Sequence, residues 1–276
     1  MQGRLLQTGY LDGAANMAID EMLLMNSRHL LGERYQAILR LYGWTNPTLS
    51  LGYFQPTPVI MNQLRQSAEA EGFPFEVVRR LTGGATILHD LELTYSFVIS
   101  EDNPLVKGEV TESYRTICRG IVRGLESLGI EAEFFRAPDE SAEKAYAPKS
   151  NFCFANHSKY DVVFKGKKLV GSAQRRKNGF ILQHGAILLD IDHQKTAYLN
   201  NQEINCFWEA VSLKDILGWR PDFDEAGRLV ARGFHLAMGI DFTEEGLTLE
   251  EAELAEEIKR NKYSTLNWTN RVGAKR

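Results

Sequence analysis

Apolar residues recur at three- and four-residue steps in some stretches of this chain and at two-residue steps in others, and the switches between the two periods set the order of elements. Residues 13–31 read as a helix, with Met17, Glu21 and Leu24 on one turn-spaced face and Gly32 placed to end it. The runs AILRLYGW and TLSLGYF read as strands split by Asn46-Pro47, and residues 58–70 read as a second helix ended by Gly72. FEVVRR and ELTYSFVIS read as strands on either side of a glycine turn. Residues 110–129 carry the clearest helical stripe, Val110, Tyr114, Ile117, Ile121, Leu125 and Leu128, with Gly129 after it.

Residues 136–150 are polar, contain Pro138 and Pro148, and read as a loop. Three strands follow, YDVVF, KLVGSAQR and FILQHGAILLDI, joined at Lys165-Gly166 and Asn178-Gly179; Asn-Gly is the strongest short hairpin signal in the chain. From residue 210 the pattern turns helical. DEAGRLVARGFHLAMG and TLEEAELAEEIKRNKY flank a short strand near Ile240–Phe242, and the last dozen residues read as loose. Consecutive hairpins in the middle of the chain predict an α+β fold, a single domain over 1–276 with a mixed, largely antiparallel sheet flanked by helices. Its core lies at about residues 9–220, and residues 221–276 form a helical closure over the sheet.

Composition narrows the function classes. Of 276 residues, 43% are hydrophobic and 25% charged, enough for a sizeable core without metals or disulfides. The net charge of -4 gives no support to nucleic-acid binding. Lys165, Lys167, Lys168, Arg175, Arg176 and Lys177 make the densest basic stretch, either a docking patch for an acidic partner or a solvated hairpin. Three unpaired cysteines, Cys118, Cys153 and Cys206, speak against a disulfide framework and a thiolate zinc site, and for a reducing cytoplasm. No run reaches the about 18 apolar residues of a membrane span, the N-terminus lacks the apolar region of a secretory signal, and no metal-ligand spacing is present.

Candidate chemistry gathers in three places. In RRLTGGATILHD, Arg79 and Arg80 end a strand, and Thr82, Gly83, Gly84 and Ala85 form a sharp turn toward His89. Such a turn is either a plain hairpin or a nest of amides for an oxyanion or carbonyl, since glycine lets backbone approach a ligand closely. In KLVGSAQR, period two sets Lys168 with Val170, Ser172 and Gln174. It leaves a nearly bare face at Gly171 and Ala173, open to a narrow apolar ligand or another backbone. Lys168 is then a site cation or a solvated hairpin lysine. Cys153, between two phenylalanines in NFCF, is a buried hydrophobe or a nucleophile, because a thiol needs a neighbouring cation to become a thiolate near neutrality. Cys118 lies beside the 110–129 stripe and reads as core; His184, beside Gly185 in LQHGA, reads as a satisfied strand histidine, and His89-Asp90 is either a pair of acid–base groups or a strand-end contact.

Taken together, LDGAANMAIDEMLL, LRLYGWTNPTLSLGYFQ, VRRLTGGATILHDLELTYS, KLVGSAQRR and LQHGAILLD resemble, in order, the motifs of the lipoate/biotin protein ligase and octanoyltransferase superfamily. They run from about residue 9 to about residue 192. Within it, Glu92-Leu93, the Cys-Phe pair ahead of SKYDVVFKGKKLVGSAQ, and the helical chain end resemble the octanoyl-acyl-carrier-protein:protein octanoyltransferases of the LipM type. Two positions depart from that pattern: His157 stands where relatives tend to have proline, and Ala85-Thr86 follow the glycine pair.

The resemblance implies a biotin/lipoate protein ligase-like catalytic domain and an acyltransferase of protein lipoylation that needs no cofactor. It makes Cys153 the acyl-thioester nucleophile and Lys168 its activating cation. Arg79, Arg80, Thr82, Gly83, Gly84, Ala85, His89, Gly171, Ser172, Ala173, His184 and Gly185 would line the substrate site. The implied donor is octanoyl-acyl-carrier-protein, and the acceptor a lipoyl domain such as glycine cleavage H protein or the E2 of a 2-oxoacid dehydrogenase. An ATP-dependent lipoate–protein ligase, an amidotransferase between lipoyl domains, and a non-catalytic carrier-binding module are the alternatives.

Overall fold

The computed structural model describes residues 1–32, 34–57, 66, 68–135, 161–201 and 210–271. The 136–150 stretch, Cys153, His157, Cys206 and residues 58–65 and 67 of the predicted 58–70 helix lie outside the described residues; 68–70 are helical.

The chain opens on a strand, β1 (Gln2–Leu11), that the hydropathy pattern did not reveal. It is followed by α1 (Gly13–Met25), α2 (Ser27–Leu30), β2 (Ala37–Trp44), β3 (Thr48–Leu51), β4 (Glu76–Arg79), β5 (Ile87–His89) and β6 (Glu92–Ser100). The 110–129 stripe is α3 (Val110–Glu126). Then come β7 (Glu133–Phe134), β8 (Val162–Phe164), β9 (Lys167–Lys177), β10 (Phe180–Leu188), α4 (His193–Asn201), α5 (Leu213–Leu217), α6 (Phe223–Met238), β11 (Asp241–Glu244) and α7 (Leu249–Ile258). A π-helical turn (Lys259–Tyr263) leads into α8 (Leu266–Thr269). Among the described residues no helix is long and apolar enough to cross a membrane.

The expected α+β fold with a mixed, largely antiparallel sheet is what forms. Eight strands run in the order β11-β1-β2-β6-β10-β9-β8-β7, with only β1 parallel to its neighbours. Both hairpin turns are as the sequence predicts: Lys165 and Asn178 hold φ of 49° and 55°, and the glycines after them 78° and 84°. A second, three-stranded sheet, β4-β3-β5, was not foreseen as separate; it lies apart from the main sheet in hydrogen bonding.

The main sheet buries both faces. Leu39, Leu41, Tyr95, Phe97 and Ile187 pack under α3 and α6, which share one apolar cluster with them. The amphipathic stripe of α3 dictates this: Ile117, Ile121 and Leu125 are buried while Arg119 and Arg123 are exposed. On the opposite face Ile38, Val98 and Leu182 meet Ile19, Leu23 and Leu24 of α1. Residues 223–271 do more than cover the sheet: β11 joins it beside β1, and Ala255 of α7 packs into the α1 cluster. The described end of the chain is tied down rather than loose, since Trp268 donates to the Arg79 carbonyl at 2.8 Å and Arg79 donates to Thr269.

Candidate functional site

Register places the site. Arg40, Ser96, His184 and Ala173 form one cross-strand row over β2, β6, β10 and β9, and Tyr42, Thr94, Ala186 and Gly171 form the next. Both rows face α1 and the small sheet. Between them lies a narrow slot walled by Met17, Tyr42, Trp44, Ile87, Ala173 and Ala186, with Arg80, His89, Thr94 and His184 at its polar margins. As it stands it leaves about 10 Å³, the room of about one water. The bare face at Gly171 and Ala173 is thus the slot face. Ser172 goes the other way, to Tyr95 Oη at 2.8 Å, and a Cβ on Gly185 would come within 2.4 Å of its Oγ.

Lys168 corrects the simple alternation. Val162 faces Val170, but Val163 faces Lys168, so Leu169 is an extra residue on β9. A bulge of this kind shifts every side chain before it to the opposite face. The register therefore takes Lys168 out of the row of Val170, Ser172 and Gln174. It is fully buried, and its Nζ meets Asp161 Oδ2 at 2.6 Å. The Val211 amide donates to the Lys168 carbonyl at 3.0 Å and fixes the strand there. Asp161, which residue type did not single out, also lies at 3.5 Å from the Tyr114 hydroxyl of α3.

The polar margin is a relay of buried groups. Asp20 of α1 receives Arg40 Nη1 at 2.7 Å and the Tyr42 hydroxyl at 2.9 Å, and its Oδ2 lies 2.8 Å from His184 Nδ1. The other ring nitrogen of His184 is 2.7 Å from Thr82 Oγ1. Burial alone would raise the Asp20 pKa, but the charge of Arg40 and the hydrogen bond with His184 outweigh it and hold the carboxyl below its ordinary range. Burial depresses the His184 pKa despite Asp20. His89 lies flat on Trp44, ring centroids 4.0 Å apart, with Ser50 Oγ and Glu92 Oε1 each 2.7 Å from a ring nitrogen. Both histidines thus hold the slot's shape, His184 by tying α1 and the 82–85 turn to the main sheet.

The two arginines are clamps. Arg80 donates to Thr82 Oγ1, to the Ser50 carbonyl, and to the carbonyls of Gly83 and Ala85 at 2.7 Å each. It folds the turn around its own guanidinium. Gly84 has a φ of +92°, and the Gly84 carbonyl lies 1.9 Å from where a Cβ on Gly52 would sit, so both positions demand glycine. The amides of Gly83, Gly84 and Ala85 donate to no hydrogen bond among the described residues. All five donors of Arg79 are engaged by Gly52, Gln55, Thr57 and Thr269. Arg79 locks the 52–57 loop to the chain end, away from the slot.

Cys118 is core, as its place beside the α3 stripe implies. It is 1% exposed, takes a hydrogen bond from Gln183 at 3.2 Å, and its pKa is pushed up to about 12 by burial, with the Asp161 charge adding. Cys153 lies outside the described residues.

The slot is thus an apolar space between two sheets, with the arginine-clamped glycine turn at its margin. The family described as "Lipoyl protein ligase A/B catalytic domain" matches residues 12–235, and the chain belongs to it. "Octanoyltransferase LipM" of Kyrpidia tusciae is 44% identical over 277 residues, covering 97% of this chain and 98% of that relative. The solved structure of lipoate-protein ligase A bound with ATP aligns with a TM-score of 0.76 at 28% identity, covering 99% of this chain and 100% of that one. A bipartite lipoate protein ligase of Thermoplasma acidophilum, from a structural study with its E2 lipoyl domain, aligns at 0.72 and 26%, covering 100% and 99%. The protein is accordingly an enzyme, an acyltransferase.

Proposed function

We propose that the protein transfers an octanoyl group from octanoyl-acyl-carrier-protein to a lysine of a lipoyl-accepting domain, through a thioester on Cys153. The observation that supports this reading most is Lys168, fully buried on β9 and held by Asp161 at 2.6 Å. A cation fixed in that place is what a nearby thiol needs to react as a thiolate. The relatives' octanoyltransferase activity supports the acyl group, and the Thermoplasma ligase studied with an E2 lipoyl domain supports the class of acceptor. Glycine cleavage H protein and 2-oxoacid dehydrogenase E2 are the acceptors proposed. A reducing cytoplasm suits a free thiol nucleophile.

In the first half-reaction the Cys153 thiolate adds to the donor carbonyl. A new C–S bond forms, the pantetheine C–S bond breaks, and the departing sulfur takes up the proton that Cys153 shed. In the second, the neutral amine of the acceptor lysine adds to the Cys153 thioester. The amide C–N bond forms, the C–S bond breaks, and a proton passes from nitrogen to the cysteine sulfur. This is covalent catalysis, with two easier transfers in place of one. The Lys168 ammonium is the donor proposed for the oxyanion of each tetrahedral intermediate. The octanoyl chain enters the slot as flexible side chains such as Met17 move aside, and each buried CH₂ contributes about 0.8 kcal/mol.

A second reading, ATP-dependent lipoate–protein ligase, is favoured by the likeness to the ligase solved with ATP. One assay separates the two. Octanoyl-acyl-carrier-protein and a lipoyl domain, mixed with the protein without nucleotide, should yield octanoyl-lysine by mass spectrometry. Product that forms only from free octanoate or lipoate with ATP would establish the ligase instead. Transfer from an octanoylated lipoyl domain but not from the carrier would establish an amidotransferase.

A further inference from the structure

We propose that Arg175 and Arg271, gathered over Tyr53 beside the slot, bind the phosphodiester of the acyl donor's pantetheine arm. The inference rests on the thioester-donor reading and adds where that donor is gripped. Arg175 Cζ lies 4.6 Å from the Tyr53 ring centroid, and Arg271 Cζ lies 4.2 Å from the same centroid. Two guanidinium groups thus share one tyrosine ring, although like charges repel. No carboxylate among the described residues forms an ion pair with either. Arg175 donates to the Leu81 carbonyl at 2.8 Å, and the guanidinium groups of Arg271 and Arg175 both hydrogen-bond the Tyr53 hydroxyl and lower its pKa, which leaves each fork with further donors for an anion. Both side chains are partly exposed, so a ligand can reach them. Arg79 adds to the positive field from beneath: burial and the charge of Arg271 both lower its pKa. Because its own donors are all engaged, it contributes field rather than contact.

Position turns this into an assignment. Arg175 shares the slot face of β9 with Ala173, about 7 Å along the strand from it. Tyr53 donates its amide to the Thr82 carbonyl at 2.8 Å, so the pair sits directly against the glycine turn. Lys168 lies seven positions back along β9, about 20 Å away by strand rise. That span is on the scale of an extended pantetheine arm, with its sulfur toward Lys168 and its phosphate toward Arg175 and Arg271. Forked guanidinium groups suit a phosphate oxygen pair better than any other side chain.

The test compares octanoyl-pantetheine with octanoyl-4′-phosphopantetheine, which differ only in the phosphate, as donors to a lipoyl domain. The wild-type protein should favour the phosphorylated donor in kcat/KM, carried in KM. Arg175→Gln and Arg271→Gln should each cut that preference about tenfold or erase it. Arg175→Lys should restore part of it. Equal losses on both donors, or no preference in the wild type, would overturn the assignment. Turnover of neither thioester would instead remove the thioester-donor reading on which it rests. Titration with MgATP gives the other arm: binding that is lost in the double variant would assign the pair to nucleotide phosphates and overturn the proposal.

Discussion

Lys168 Nζ and Asp161 Oδ2 meet at 2.6 Å with each side chain 1% exposed, across a two-residue hairpin turn whose near strand carries a bulge at Leu169. Withdrawing a charge this far from water is costly, and a close carboxylate offsets that cost. The pair is therefore both a structural joint where β8 begins beside β9 and the device that keeps a cation buried there.

Removing one member should be far worse than exchanging both. Asp161→Ala strips the buried ammonium of this carboxylate and should cost about 3–5 kcal/mol in urea unfolding. The double variant Asp161→Asn/Lys168→Met should cost less than the two single changes together, which a double-mutant cycle reads directly. Lys168→Met should also slow both half-reactions, and an unchanged rate would remove Lys168 from the chemistry.

His184 gives the fold a pH dependence of predictable sign. Its folded pKa lies below the ordinary 6.5, so between those values the unfolded chain binds a proton that the folded chain does not. Stability is full above about 6.5 and is lost as pH falls below it. Asp20, also depressed, adds a second loss below its ordinary 3.8. Urea midpoints should fall between pH 7 and pH 5 in the wild type and fall less in His184→Gln.

Gly52→Ala tests the close approach of the 52–55 loop to the 82–85 turn. Its Cβ would lie 1.9 Å from the Gly84 carbonyl, which must move. We expect a loss of about 1–3 kcal/mol in stability and a larger fall in transfer rate, since the turn bounds the slot. A variant with wild-type melting and turnover would show that the turn is free to shift.

Met17 lies at the α1 end of the slot beside Tyr42 and is 1% exposed. Met17→Ala should cost about 2–5 kcal/mol in stability and move the acyl preference toward chains longer than octanoyl. Competition between octanoyl and decanoyl donors measures this. An unaltered preference would place the chain elsewhere.

Much of the architecture was legible because it is local. Lys165-Gly166 and Asn178-Gly179 need positive φ and announce two hairpins, and the α3 stripe announces its buried face. What escaped depends on distant pairing. β1 reads poorly because Gly9, at φ 63°, breaks its alternation, and its partners β2 and β11 are parallel and remote. The bulge at Leu169 carries no glycine or proline to mark it, yet it decides which face receives Lys168. Asp20 and His184 stand 164 residues apart, so neither residue's surroundings foretell their contact. Arg79 and Arg80 look alike in sequence, and only the carbonyls around them show that one locks the chain end while the other shapes the turn.

The central claim is a thioester on Cys153, and trapping it tests that claim most directly. The protein is incubated with octanoyl-acyl-carrier-protein alone, without nucleotide or acceptor, and its intact mass is read before and after hydroxylamine. Cys118, buried with its pKa pushed up to about 12, serves as the internal control. The account predicts one hydroxylamine-labile octanoyl adduct, mapped to Cys153, kept in Cys118→Ala and absent in Cys153→Ser. An unmodified Cys153 in a protein that still transfers octanoyl to a lipoyl domain would contradict it.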